Sequence, residues 1–111
     1  MGDNSFMHVP LAFIQQREFE AAVARAAKSL APDVVAITPT FRDDWTGEPA
    51  VFFMVILADE ATKPDQLLRV SNSVSDFLEQ EVQPREHWGV PPYFNFRSRS
   101  EQAKLDQPAL V

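Results

Sequence analysis

The chain has 111 residues, a formal net charge of −6 and no cysteine, and 45% of its residues are hydrophobic. This length and composition are typical of one domain with an adequate core, and the lack of cysteine excludes disulfides and cysteine-based zinc sites. The longest apolar run, residues 50–58, is far shorter than the ~20 residues that cross a bilayer. Because residues 1–10 also lack the pattern of a signal peptide, we expect a cytoplasmic, acidic protein.

A first helix is predicted over residues 15–30, which are rich in Ala, Glu, Arg and Gln. Four apolar residues of this segment recur at the spacing of one buried helix face. They are Phe19, Val23, Ala26 and Leu30. Residues 1–10 are expected to form a loose arm, and residues 11–14 either extend the helix back to Pro10 or pack as a separate apolar segment.

Two strands are predicted to follow. Residues 34–41 alternate between apolar and polar side chains, and Pro39, which has no N–H to donate, indicates an edge strand or a bulge. Residues 50–57 are apolar on both faces, so both faces should be covered. The turn-rich segment 42–49 lies between them, and we expect the two strands to pair as an antiparallel hairpin.

A second helix is predicted from Thr62, acting as the N-cap, to about Val82. The loop 85–92 then leads to an alternating strand over residues 93–99. From about residue 100 to residue 111 the chain is polar and weakly patterned, and we expect a frayed tail.

The element order α-β-β-α-β predicts one α+β domain over residues 1–111, with a three-stranded, mainly antiparallel sheet and two helices on one face. Two helices cannot cover both faces of three strands. The second face of the central strand carries Phe52, Met54 and Ile56, and either the arm and tail or another chain must close it. We expect a homodimer through this face.

Sequence motifs for catalysis and cofactors are lacking: there is no G-x-G-x-x-G, Walker A or H-E-x-x-H sequence, and the chain has only three glycines. We therefore predict no cofactor and no metal. One alternative is an enzyme or a ligand- or metal-binding protein that uses Asp43, Asp44 and His87, since paired carboxylates bind cations or act as general bases. The plainer interpretation is that both aspartates bond amides of a turn while Trp45 packs over the core edge.

The last strand raises the question of RNA binding, because exposed aromatics beside arginine stack on bases. The element order resembles that of the small KH-like ribosome-associated domains over most of the chain. The G-x-x-G loop of typical KH domains is missing, however, and a net charge of −6 repels phosphates. Phe94 and Phe96 are expected in the core, with Tyr93, Asn95 and Arg97 facing solvent. We do not expect nucleic acid as a partner.

Two segments, DWTGEPAVFF at residues 44–53 and PPYFNFRS at residues 91–98, resemble a small bacterial family of α+β proteins with no agreed activity. The resemblance extends over residues 40–100 or so. It implies a bacterial accessory protein, encoded beside a partner as toxin–antitoxin components are, and it assigns no catalytic residue.

The leading hypothesis is a non-catalytic interaction module that binds another protein or itself. Aromatic residues and arginine are enriched at binding hot spots, and both loops reach the same end of the sheet if the last strand lies beside the hairpin. The predicted interaction residues are Arg42, Trp45, Trp88, Tyr93 and Arg97.

Overall fold

Helices and strands follow one another in the predicted order within residues 9–107, which a computed structural model of the chain describes. The helices are α1 (Leu11–Ile14), α2 (Gln16–Ser29), α3 (Leu67–Glu81) and α4 (Arg99–Asp106). The strands are β1 (Val34–Asp43), β2 (Pro49–Leu57) and β3 (Pro92–Ser98). None of these helices has both the length and the apolar character that crossing a membrane requires. The α+β class is confirmed, with α4 added at the end.

The sheet has the order β1-β2-β3, so β2 is the central strand. β1 pairs with β2 in antiparallel fashion, with Phe41 opposite Val51, which confirms the predicted hairpin. β3 pairs with β2 in parallel, with Phe94 opposite Phe53. The sheet is therefore mixed rather than mainly antiparallel. The physical reason is the connection from β2 to β3, which contains α3 and is long enough to return the chain to the same end of the sheet.

The hydrophobic core lies on one face of the sheet, under α2 and α3. The central strand contributes four side chains with no exposed surface. They are Val51, Phe53, Val55 and Leu57. Phe19 of α2 is also fully buried, and its ring centroid lies 5.3 Å from that of Phe41 and 6.1 Å from that of Phe53. The prediction that both helices cover one face of the sheet is confirmed.

One helix boundary differs from the sequence prediction, and one alternative that the sequence left open is settled. Thr62 is not an N-cap: it ends a 3-10 turn, where its hydroxyl donates to the carbonyl of Asp59 at 2.8 Å, and α3 begins only at Leu67. Thr62, which the sequence pattern placed at the helix start, belongs instead to the 3-10 turn Asp59–Thr62. The backbone breaks at Gln15 (φ −117°, ψ 57°), so α1 is a separate apolar segment and not an extension of α2.

The expected frayed tail is wrong for residues 99–106, which form α4. A capping box starts this helix: the Glu101 N–H donates to Ser98 Oγ at 3.0 Å, and the Ser98 N–H donates to Glu101 Oε1 at 3.1 Å. Asp59 accepts a hydrogen bond from the Ser100 N–H at 3.1 Å and a second from its hydroxyl. The start of α4 is thus held both by its own capping box and by Asp59, which is 41 positions from Ser100 in the sequence. Residues 1–8 of the predicted arm and residues 108–111 of the predicted tail lie outside the described residues.

Replacing Phe19 with alanine should lower the free energy of unfolding by about 3–5 kcal/mol, because the change empties the centre of the core. Urea unfolding followed by tryptophan fluorescence measures this loss. Glu20→Ala, at an exposed position of the same helix, is the control and should change the free energy by less than about 0.5 kcal/mol. Similar values for the two variants would contradict the placement of Phe19.

Candidate functional site

The face of the sheet opposite α2 and α3, called the open face below, carries alternate residues of all three strands. The strand registers place them in three rows across the sheet. The rows are Thr40–Phe52–Tyr93, Thr38–Met54–Asn95 and Ala36–Ile56–Arg97. Phe52, Met54 and Ile56 are half-buried, and none of them belongs to the hydrophobic cluster that the described residues form. Apolar surface of the central strand therefore reaches solvent on this side.

One row of the open face continues into the hairpin loop as a stack of one arginine and three aromatic rings. The guanidinium carbon of Arg42 lies 3.8 Å from the ring centroid of Phe52, within cation–π distance. The rings of Phe52 and Tyr93 stack at 4.9 Å, and Trp45 meets Tyr93 edge-on at 5.1 Å. These four residues are called the aromatic stack below. Its outermost member, Trp45, remains 79% exposed.

Asp44 joins the hairpin loop to the aromatic stack. Its Oδ1 accepts hydrogen bonds from the Thr46 N–H at 2.9 Å, the Thr46 hydroxyl at 2.6 Å and the Glu48 N–H at 3.1 Å. Its Oδ2 accepts a hydrogen bond from the Tyr93 hydroxyl at 2.9 Å. Gly47, with φ at 87°, supplies the left-handed backbone of the loop. The prediction that an aspartate bonds the amides of this turn is confirmed for Asp44.

These hydrogen bonds shift the pKa values of both partners. The bond from the Thr46 side chain, with those from Tyr93 and two backbone amides, lowers the pKa of Asp44 from 3.8 to about 2. The hydrogen bond to Asp44 raises the pKa of the Tyr93 phenol above its ordinary value of 10.0. A general base works best with a pKa near the operating pH. Asp44 is instead a firmly ionised group with both oxygens engaged, which suits a structural role better than proton transfer.

Three of the five predicted interaction residues, Arg42, Trp45 and Tyr93, meet in the aromatic stack. Arg97 lies on the open face two rows away, where its Nη1 donates to Gln102 Oε1 of α4 at 2.9 Å. The structure thus brings three of these residues together at one end of the open face and places a fourth at the other end.

The two tryptophans, both predicted at the interaction surface, lie in different environments. Trp88, predicted at the interaction surface, is only 6% exposed, and its ring centroid lies 5.3 Å from that of Phe19 in the core. Its carbonyl accepts a hydrogen bond from the Ala12 N–H at 3.1 Å, so α1 holds its loop against the helical side. Trp45, expected over the core edge, projects from the open face instead. The prediction that Trp88 takes part in the surface is therefore wrong.

The alternative site at Asp43, Asp44 and His87 is not assembled. Asp43 is the last residue of β1. The ring of His87 lies 5.0 Å from that of Trp88 and lines a hollow beside Arg25 on the helical side. No hydrogen bond joins His87 to Asp44 within residues 9–107, and no group of three or more His, Asp and Glu residues in that range is placed to hold a metal ion.

Sequence reasoning named Phe52 and Asp44 but did not connect them with Tyr93. The hydrogen bond between Asp44 and Tyr93 joins residues 49 positions apart, and no local pattern announces such a contact. The alternation of the last strand did place Tyr93 on the face opposite Phe94 and Phe96. A parallel β3 then brings Tyr93 beside Phe52. The direction of β3 was the missing information.

In comparisons with protein-family models, with curated proteins and with solved structures, nothing matches the chain.

Replacing Asp44 with asparagine should lower the pKa of Tyr93, because the carboxylate that accepts the phenol hydrogen bond is lost. Tyr93 is the only tyrosine of the chain, so an absorbance titration of tyrosinate reports this residue alone. We expect a midpoint above 10.0 in the wild type and a lower midpoint in Asp44→Asn. Asp43→Asn is the control and should leave the midpoint unchanged. Equal midpoints in all three proteins would refute the Asp44–Tyr93 contact.

Asp44 should also make stability depend on acid pH. Because its pKa is about 2 in the folded chain against an ordinary value of 3.8, its stabilising contribution is fully present above 3.8 and is lost as the pH falls towards 2. Unfolding free energies of wild type and Asp44→Asn should therefore differ at neutral pH and converge as the pH falls through this range. A difference that stays constant over the range would contradict the assignment.

Proposed function

We propose that this chain is a non-catalytic protein-interaction module that binds a partner protein through the open face of its sheet, in the cytoplasm. The observation that carries the proposal is the aromatic stack of Arg42, Phe52, Tyr93 and Trp45. Tryptophan, tyrosine and arginine are the residue types enriched at binding hot spots. Here they lie together beside apolar surface that no core cluster of the described residues includes.

The arrangement supports binding because much of it is already ordered. The Tyr93 ring is fixed by Phe52 on one side and by its hydrogen bond to Asp44. Binding costs free energy when side chains lose freedom at an interface, about 0.5–1.5 kcal/mol for each rotamer-rich side chain. A preformed stack lowers that cost. Trp45, at 79% exposure, is the ring with the most surface left for a partner to bury.

The charge of the chain indicates what kind of protein the partner is. The formal net charge is −6, and such a charge speeds the encounter with a partner of opposite sign. On the surface itself, the Arg42 guanidinium and the Asp44 carboxylate are both held in aromatic or hydrogen-bonded contacts. We therefore propose a partner with net positive charge that offers an apolar pocket for Trp45.

The test uses the full chain, tagged and recovered from its native host, with co-purified protein identified by mass spectrometry and its affinity then measured by calorimetry. Trp45→Ala should weaken binding roughly 30-fold, the loss of a hot spot worth about 2 kcal/mol. Leu68→Ala is the matched control, because Leu68 is also a large exposed apolar side chain, at 73%, but lies on α3. This variant should bind like the wild type.

Equal weakening by Trp45→Ala and Leu68→Ala would contradict the proposal, as would recovery of the wild-type chain with no partner protein. Recovery of nucleic acid instead, detected by the ultraviolet absorbance ratio of the purified protein, would favour base stacking on the same rings. The unfolding free energies of both variants should stay close to that of the wild type, since both side chains are exposed.

A further inference from the structure

The sheet has two outer edges, on β1 and on β3. For each residue of these strands, the hydrogen bonds show whether its N–H and C=O point towards β2 or away from the sheet. The N–H and C=O of one residue point to the same side of a strand, and the side alternates from residue to residue, so one hydrogen bond fixes the whole pattern. The Val51 N–H donates to the carbonyl of Pro91 at 3.0 Å. Counting from that bond, Tyr93, Asn95 and Arg97 direct their N–H and C=O towards β2. Phe94, Phe96 and Ser98 direct theirs outwards.

The outer edge of β1 is interrupted at its middle. The Asp44 N–H donates to the carbonyl of Glu48 at 2.8 Å, so even-numbered residues of β1 point towards β2 and odd-numbered residues point outwards. Pro39 is therefore an outward residue, and it has no N–H to offer. Proline on an edge strand is a common device against pairing with another chain.

The outer edge of β3 is open. The outward N–H and C=O of Phe94 and Phe96 have no hydrogen-bond partner within residues 9–107. The Ser98 N–H, by contrast, is used in the capping box of α4. A hollow of about 190 Å³ lies beside Phe96 and Ser98 and is bordered by Leu67, which is 40% exposed. α4 packs against β2 as well as β3, and Asn95, between the two outward residues, is exposed.

We propose that β3 pairs antiparallel with β3 of a second copy of this chain, which joins two three-stranded sheets into one continuous sheet. The twofold axis passes beside Asn95, which then faces Asn95 of the second copy. Phe94 pairs with Phe96 of the second copy, and Phe96 with Phe94, and each pair exchanges two main-chain hydrogen bonds. This contact between copies goes beyond the proposed function, because it uses the edge of the sheet and leaves the exposed ring of Trp45 free.

The side chains and charges of β3 favour a second copy over an unrelated strand. Arg97 is the only charged residue of β3, and it makes no ion pair within the described residues. The other end of β3 carries Tyr93, which is bonded to the Asp44 carboxylate. The proposed register sets Arg97 of each copy opposite Tyr93 of the other, so a guanidinium faces a phenol ring at both ends of the pairing. Cross-strand pairs of this kind stabilise a sheet.

A cysteine placed at Asn95 tests the register directly. Facing residues of a non-hydrogen-bonded antiparallel pair have Cα atoms about 4.5 Å apart, which a disulfide can bridge. The chain has no native cysteine, so Asn95→Cys can form only a disulfide between two copies. Under mild oxidation we expect it to form a covalent dimer at least roughly tenfold faster than Thr38→Cys. Thr38 is the matched control because it lies in the same row of the open face, exposed, on β1.

Lysine variants at the same two positions test the dimer without a covalent bond. Sedimentation of the wild type should give the mass of two 12.5 kDa chains as the concentration rises. Asn95→Lys, which brings two like charges together at the axis, should weaken the dimer roughly tenfold, and Thr38→Lys should leave it unchanged. A wild type that stays monomeric at all concentrations would overturn the proposal. So would equal cross-linking of the two cysteine variants, or equal effects of the two lysine variants.

Discussion

The structure depends on one constraint: the central strand β2 is apolar on both faces, and within residues 9–107 the core-forming helices α2 and α3 cover only one. Burying its four core-facing side chains under α2 and α3 contributes about 1.5–3 kcal/mol for each large residue. That burial fixes the orientation of the whole sheet. Because the side-chain period of a strand is two, it also forces Phe52, Met54 and Ile56 to the other side. The open face is therefore a consequence of core formation.

The aromatic stack shows how the fold organises this remaining surface. Phe52 lies beside Tyr93 because β3 runs parallel to β2. Asp44 links the hairpin loop to Tyr93, because its carboxylate accepts hydrogen bonds from the loop and from the Tyr93 hydroxyl. The conformation of the hairpin turn and the position of the Tyr93 ring therefore depend on the same carboxylate. A surface held in this way is ordered before any partner arrives, and preorganisation of that kind favours binding.

The two edges of the sheet differ as much as its two faces do. Proline removes a donor from the middle of the β1 edge, whereas the β3 edge keeps the outward donors of Phe94 and Phe96. Pairing at β3 about a twofold axis perpendicular to the sheet keeps both open faces on the same side. In such a dimer the two Trp45 rings would lie on the same face, and a partner that engages both would bind with higher avidity. The proposed dimer contact and the proposed partner contact thus use different parts of the sheet.

The sequence by itself determined α2, the hairpin and the body of α3. The spacing of Phe19, Val23 and Ala26 marks α2, and the alternation of β1 with the turn residues after it marks the hairpin, because periodicity records which side of an element is buried. Residues 51–57 also showed that one apolar face of β2 would need a partner or a cover. The capping box at Ser98 was readable as well, since it follows a short pattern, although the polar residues after it suggested a frayed tail.

Only the tertiary structure decided the direction of β3, the burial of Trp88 and the exposure of Trp45. Both tryptophans lie in loops of similar composition, so local sequence gives them the same environment. What separates them is contact at long range: α1 bonds the loop of Trp88 on the helical side, whereas Asp44 and Tyr93 hold the loop of Trp45 on the open face. Such contacts depend on how the strands are ordered, and that order is set by packing of the whole chain rather than by any segment of it.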